Sequence, residues 1–208
     1  MKKTEKLAII ERTLDRLYPE VKPALDFTDH YTLLIAVLLS AQCTDERVNQ
    51  VTKVLFKAAS TPVAMLALGQ EKVLEIIRPC GLSPTKSKNI IALSRILVDK
   101  YQSIVPDNFE ELEQLPGVGH KTASVVMVQG FRVPAFPVDT HIFRLAGRWG
   151  LSKGNTVEKV EADLKKLFRR EDWAKRHLQI IYYGRGYCKA RGHNPLQCPI
   201  CSQIGVKN

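Results

Sequence analysis

The segment Leu115-Pro116-Gly117-Val118-Gly119-His120-Lys121-Thr122-Ala123 reads as a tight glycine turn that feeds a helix. Two glycines at such a turn let backbone N–H groups approach an anion closely, and the helix that follows adds the positive end of its dipole. A nucleic-acid phosphate suits that arrangement, with Gly117, Val118 and Gly119 making the contact. Lys121 falls in the first turn of the helix, where its amine would reach the sugar beside that phosphate. Eighteen positions further on, Asp139 opens another helix in Pro137-Val138-Asp139-Thr140-His141. An amine and a carboxylate so disposed point to chemistry on DNA rather than to binding alone.

Around this segment lies a chain of 208 residues, 45% hydrophobic, enough for a packed core without disulfide staples. Lys plus Arg exceed Asp plus Glu by 31 to 21, giving a net charge of +10. That excess favours an anionic partner such as nucleic acid or an acidic membrane surface, although charge alone does not separate these from simple solubility. The basic residues thicken toward the C-terminal half, among them Arg144, Arg148, Lys165, Arg169, Lys175, Arg176, Lys189 and Arg191, as expected of a polyanion-facing surface. Met1-Lys2-Lys3-Thr4-Glu5-Lys6 is basic, with no apolar stretch and cleavage site behind it, so it does not read as a secretory signal. Leu33 to Leu39 is too short to cross a bilayer. The expectation is a cytoplasmic monomer, nucleoid-associated if bacterial, with no membrane partner.

Helical periodicity dominates. Leu7, Ile10, Leu14 and Leu17 recur at three- and four-residue steps, as do Val48, Val51 and Leu55, and again Val157, Val160, Leu164 and Leu167. Tyr31 to Leu39 is apolar on nearly every side and predicts a helix buried at the centre of a bundle. Asp29, Thr44-Asp45, Thr85, Asp107 and Asp139 read as helix starts, Gly130 and Gly150 as stops, and the pattern as a whole predicts about ten short helices. Phe131-Arg132-Val133-Pro134-Ala135-Phe136-Pro137 carries two prolines and is the natural lobe boundary. A division there would set Lys121 and Asp139 on opposite sides of an interlobe cleft.

The hairpin, together with Leu38-Leu39-Ser40-Ala41-Gln42, Val138-Asp139-Thr140-His141 with Arg144, and Tyr183-Gly184-Arg185 before Cys188, resembles the helix-hairpin-helix DNA glycosylases, and among them the endonuclease III family. The resemblance covers most of the chain. It implies an all-α, two-lobed fold: a six-helix lobe over residues 21–133 containing the hairpin, and a second lobe built from residues 1–20 and 134–208. It implies excision of damaged bases, with oxidised pyrimidines as the class, followed by cleavage 3′ to the abasic site. The partner would be double-stranded DNA carrying damaged bases or abasic sites.

In such a reaction a carboxylate stabilises the oxocarbenium character that develops as the base leaves, and Asp139 is the candidate. An amine attacking the same carbon forms an iminium ion that permits strand cleavage by β-elimination, and Lys121 is that amine. The plainer roles are a helix cap for Asp139 and a phosphate contact for Lys121. A noncatalytic helix-hairpin-helix binding module and a monofunctional glycosylase therefore stand as alternatives, although monofunctional relatives usually lack the lysine and carry an extra C-terminal domain. Duplex DNA hides the scissile bond, so the target nucleotide must leave the stack and something must fill the gap. The resemblance points to Gln42 as the plug, and Leu82, in the Gly81-Leu82-Ser83-Pro84 turn, is a second wedge candidate. His141 and Arg144 are positioned to support the carboxylate or to bind phosphate.

Five cysteines is an odd count, and three of them, Cys188, Cys198 and Cys201, crowd near the C-terminus, where metal is a better reading than disulfide. They resemble the family's iron-sulfur loop, which implies a 4Fe-4S cluster. The fourth family cysteine is absent, its expected place being Lys207. His193, inside the enlarged first gap, would supply the missing ligand to a cluster or complete a Cys3His zinc site, and a loop without metal is the third outcome. Cys43 and Cys80 read as small buried side chains.

Overall fold

A computed structural model describes residues 1–206, which are helical with no strand among them; the Lys207 position lies outside the described residues. In chain order the helices are α1 (Lys3–Leu17), α2 (His30–Ser40), α3 (Asp45–Ala58), α4 (Pro62–Leu68), α5 (Gln70–Ile77) and α6 (Ser83–Tyr101). There follow α7 (Phe109–Glu113), α8 (His120–Gln129), α9 (Thr140–Arg148), α10 (Val157–Leu167), α11 (Trp173–Gly186) and α12 (Cys201–Ile204). The count exceeds the expected ten because α4, α7 and α12 are too short to show a periodic stripe.

Local chemistry explains the boundaries. Asp29, Thr44, Thr61, Asn108, Asp139 and Thr156 each accept a backbone N–H three residues on, satisfying an otherwise orphaned donor. Two expected starts shift. Pro84, lacking an N–H, sits early in α6, so the helix begins at Ser83 rather than near Thr85. Asn108, not Asp107, caps α7, its Oδ1 accepting from Glu111 N at 2.9 Å.

The chain forms two compact units. The first, Pro23–Val133, is built round α2, every residue of which from Tyr31 to Leu39 is buried. It holds seven helical segments, or six if α4 and α5, parted only by Gly69, are taken as one. Helices α3, α6 and α8 pack on α2. A helix apolar all round has no face to give to water and must be enclosed. Its buried Tyr31 hydroxyl donates to Ser94 Oγ at 2.7 Å, and Ser94 in turn donates to Ile90 O at 2.7 Å. No single described helix is long and apolar enough to cross a membrane.

The second unit joins Met1–Lys22 to the described residues from Pro134 onward. Its core sets Trp149 edge-on to Tyr183 at 5.7 Å and stacks Phe136 on Phe168, with Ile10 and Leu14 of α1 in the same cluster. The N-terminal helix is tied down by α11. Arg176, only 6% exposed, donates from both terminal nitrogens to Asp15 at 2.8 and 3.0 Å, and Gln179 Nε2 donates to Tyr18 O at 2.8 Å.

The Arg176 guanidinium beside Asp15 holds that carboxyl well below the usual carboxylate range, against the opposing effect of burial. A depressed folded-state pKa means the contribution is present above the ordinary carboxylate pKa and fades as pH falls below it. Asp15→Ala removes the bidentate partner of buried Arg176 but leaves Glu11 at 3.7 Å, and with Asp15 itself partly exposed it should cost about 1–2 kcal/mol in urea unfolding at neutral pH. That deficit should shrink as pH falls below about 4. A pH-independent deficit would assign the loss to packing instead.

Candidate functional site

The glycine hairpin connects α7 to α8 and is pinned from below. Leu115 N donates to Leu112 O at 3.1 Å and Val118 N to Leu115 O at 3.0 Å, with Leu115 and Val118 both buried. Gly117 has φ +80°, and a Cβ there would lie 2.6 Å from Asn89 Nδ2, so both backbone and space demand glycine. Gly119 is different: its φ is −94° and nothing lies within 4 Å of a Cβ added to it. Nothing inside the fold requires that glycine, and the open space in front of it suits an approaching backbone. Helix α8 starts at Gly119 with no side-chain cap, leaving its first-turn N–H groups to be satisfied from outside. His120 is drawn aside, its Nδ1 2.7 Å from Glu113 Oε1 and its ring stacked on Phe109. Lys121, the next residue, is exposed, whereas Ala123 to Val128 are buried.

In the same unit the structure brings Gln42 and Leu82 onto neighbouring turns, for a Cβ on Gly81 would lie 3.3 Å from Gln42 O. Both side chains are exposed, Leu82 to 55%, and both residues hold left-handed backbone, at φ 54° and 59°. That conformation is strained for a leucine by about 1–2 kcal/mol, and such strain clusters at functional sites. What holds the Gln42 turn is a residue the sequence reading did not single out. Lys86, 4% exposed, donates from Nζ to Leu39 O at 2.8 Å and to Ala41 O at 2.6 Å, capping the carbonyl end of α2. Burial lowers its pKa. The signal was available: Lys86 precedes Ile90, Leu93 and Leu97 at helical spacing, which puts a lysine on a core-facing stripe. Burial, aided by a hydrogen bond with Cys43, pushes the Cys80 thiol up to about 11, as suits an inert small side chain.

Asp139 belongs to the other unit. It caps α9, with Oδ1 accepting from Ile142 N at 2.8 Å, and is half-buried. His141 and Arg144 are turned toward α11: the Arg144 guanidinium donates to Gly184 O at 3.1 Å, to Cys188 O at 3.0 Å and to His141 Nδ1 at 3.2 Å. The His141 pKa is lowered first by burial, with Asp139 opposing, so the imidazole is neutral at pH 7 and its Nδ1 can accept from the arginine. Arg144 thus ties α9 to the backbone of α11, which the sequence could not reveal because Gly184 and Cys188 lie some forty positions away.

Other basic residues of the C-terminal half are also committed within the fold. Arg176 and Lys175 hold Asp15, Lys165 pairs with Glu161, and Arg169 pairs with Asp172 at 2.9 Å. The expected polyanion face is therefore narrower than the sequence suggests: Lys165 pairs within its own helix at a spacing of four residues, whereas Lys175 and Arg176 reach an acid on α1. Lys166, Lys189 and Arg191 remain exposed.

The C-terminal loop gathers Cys188, His193, Cys198 and Cys201, whose four ligand atoms all lie within 4.8 Å of one another. Cys188 Sγ is 3.8 Å from Cys201 Sγ and 3.4 Å from His193 Nε2. Two outer partners orient the sulfurs. Arg148 donates to Cys188 Sγ at 3.2 Å. Tyr183 OH accepts from Ile200 N at 2.8 Å and so presents its hydrogen to Cys198 Sγ at 3.0 Å. Hydrogen bonds from Cys188 and Cys201 pull the Cys198 thiol far down, and the same close contacts push the other two thiols up. The four side chains are capable of holding a metal.

Residues 35–170 match the family model described as "HhH-GPD superfamily base excision DNA repair protein". The chain is 48% identical over 180 residues to endonuclease III of Treponema pallidum (strain Nichols), covering 86% of this chain and 85% of that protein. It is 44% identical over 191 residues to endonuclease III of Escherichia coli (strain K12), covering 92% and 90%. Its fold superposes on the structure titled "Structure of a Trapped Endonuclease III-DNA Covalent Intermediate: Estranged-Adenine Complex" with a TM-score of 0.91 at 39% identity, covering 96% of this chain and 94% of that one. Two levels of kinship are contained in these matches, the fold-wide class first. The chain belongs to the HhH-GPD superfamily of base excision DNA repair proteins and, within it, to the endonuclease III family.

The two glycines should respond differently to one methyl group. Gly117→Ala meets Asn89 and an unfavourable φ and should destabilise by about 1–3 kcal/mol, whereas Gly119→Ala should leave the unfolding midpoint unchanged. Chemical denaturation of the two variants side by side checks this.

Proposed function

We propose that Lys121 and Asp139 divide between them the two steps of a base-excision reaction at one extruded deoxyribose. The chain is a DNA N-glycosylase with abasic-site lyase activity, as its family membership and its likeness to a trapped endonuclease III–DNA intermediate support. As the bond from the anomeric carbon to the base breaks, the base leaves with the electron pair, and the Asp139 carboxylate offsets the positive charge developing on the sugar. The Lys121 amine forms the new bond to that carbon and gives up a proton, for which Asp139 is the acceptor. The bond from that carbon to the ring oxygen then breaks, the oxygen taking up the proton held by Asp139, and the opened sugar is left as an iminium ion. It acidifies the neighbouring sugar hydrogen, and β-elimination then expels the phosphate on the 3′ side.

The observation that carries this reading is the exposed Lys121 amine directly after an uncapped, sterically open hairpin. A phosphate seated at Gly119 and the open first turn of α8 would fix the register of the DNA strand beside that amine, the Val118 N–H expected to share in the contact being already donated to Leu115 O. Capping leaves Asp139 able to act, since only one of its oxygens is committed to Ile142 N. Gln42 and Leu82, exposed on adjacent strained turns, are assigned to the gap left by the flipped nucleotide. His141 and Arg144 are assigned to holding the helix that carries Asp139. The substrate is double-stranded DNA with damaged bases, oxidised pyrimidines by kinship, and the protein acts as a monomer. A metal on the C-terminal residues would order the loop bearing Lys189 and Arg191 and takes no part in the bond-breaking steps.

Borohydride added during incubation with damaged duplex should trap a covalent adduct on Lys121 in the parent protein and none in Lys121→Gln. Undiminished base release by Lys121→Gln would make the enzyme monofunctional, and neither adduct nor base release from a lesion panel would leave a binding module. Asp139→Asn should lower kcat by on the order of 100-fold while Kd for abasic DNA changes by less than about threefold. Equal losses in both would reduce Asp139 to a cap. Gly119→Ala should weaken DNA binding without loss of stability, and binding should fall steeply with salt.

A further inference from the structure

A 4Fe-4S cluster is ordinarily held by four thiolates, each on a different iron at an outer corner of the cube. The donors must then stand apart by more than the cluster itself. The C-terminal residues do not fit that description: three thiols and one imidazole supply the donors, and all four donor atoms fall within 4.8 Å of one another. The space between them is that of a single ion.

We propose that Cys188, His193, Cys198 and Cys201 form a mononuclear, tetrahedral Cys3His zinc site in this chain. A zinc ion with bonds of about 2.3 Å to sulfur and about 2.0 Å to nitrogen places two sulfurs of its tetrahedron about 3.8 Å apart, and a sulfur and a nitrogen about 3.5 Å apart. The corresponding separations are 3.8 Å between Cys188 Sγ and Cys201 Sγ and 3.4 Å between Cys188 Sγ and His193 Nε2. Chain spacing agrees with the geometry. Cys198-Pro199-Ile200-Cys201 is a two-residue knuckle, and Cys188 and His193 form the second arm across the turn that contains Gly192, whose φ is +66°.

The outer contacts suit the same ion. Three thiolates and a divalent zinc leave one net negative charge, and the Arg148 guanidinium lies against it at Cys188 Sγ. Tyr183 directs its hydroxyl hydrogen at Cys198 Sγ because its oxygen already accepts from Ile200 N. The three cysteines are buried and sit in the same core cluster as Tyr183 and Trp149, so the ion would close the base of a hydrophobic core. Zinc has no redox chemistry, and the site has all four positions filled by protein, so its role is structural: it clamps the basic loop of Lys189 and Arg191 onto α11.

The test is metal content of the full-length protein, produced in medium replete with both metals and purified without oxygen. The expected result is about one zinc per chain, no iron and no acid-labile sulfide, with the protein still colourless after incubation with ferrous iron and sulfide. About four irons with sulfide and broad visible absorption, or protein free of any metal, overturns the proposal. His193→Ala should lower zinc affinity by at least about tenfold in chelator competition, and His193→Cys should keep zinc while the cobalt-substituted site gains thiolate charge-transfer intensity. Unchanged zinc affinity in His193→Ala would remove the imidazole from the site and with it the inference. None of these readouts depends on base release or on borohydride trapping, so this proposal and the catalytic one fail separately.

Discussion

One contact fixes how the central helix of the Pro23–Val133 unit ends, the Lys86 ammonium on the last carbonyls of α2. A helix that is apolar on all sides has to be enclosed, and burial strands carbonyls near its C-terminal end, such as that of Leu39, away from water. An unsatisfied buried carbonyl costs on the order of 1–3 kcal/mol, so a donor must reach in from a neighbouring helix. Lys86 does so from α6 and in doing so holds the Ala41-Gln42 turn beside the Gly81-Leu82 turn. Two exposed residues with strained backbone are kept in place by one buried charge. Stability and the presentation of candidate DNA-contacting side chains therefore share a cause.

The second unit solves a different problem. Its helices come from both ends of the chain, and α1, whose Ile10 and Leu14 enter the core, also needs directional contacts to fix how it docks. Arg176 and Gln179 of α11 supply directional bonds to Asp15 and Tyr18 across more than 160 positions of sequence. Arg144 and Arg148 extend the same device to the C-terminal end of α11 and the cysteine loop. Basic residues that in composition look like a surface for polyanions are here the fasteners of a helical unit. Lys121 after the hairpin and Lys189 and Arg191 in the cysteine loop are among the basic residues that stay exposed.

The metal-capable loop shows why kinship and geometry have to be weighed separately. The surrounding segment is that of the endonuclease III family, yet the donors this chain offers differ in number and kind from four thiolates. Imidazole in place of a thiolate changes charge, softness and reach, and those are the properties that select a metal.

Much of the fold was legible in the residues themselves. Capping side chains at Asp29, Thr44 and Asp139, the all-apolar run of α2 and the glycine stop at Gly130 set helix type and boundary through contacts three or four residues long, which a sequence states directly. The hairpin, Lys121 and the clustered cysteines were likewise readable, because their chemistry depends on close spacing. Only the tertiary structure decided that Lys86 faces inward to cap α2, that Arg144 and Arg176 are bound within the fold, and that His193 comes within 3.4 Å of Cys188 Sγ. Each of these depends on a partner distant in sequence or on the path of a loop, and burial, which gives such contacts their energy, exists only once the chain has folded.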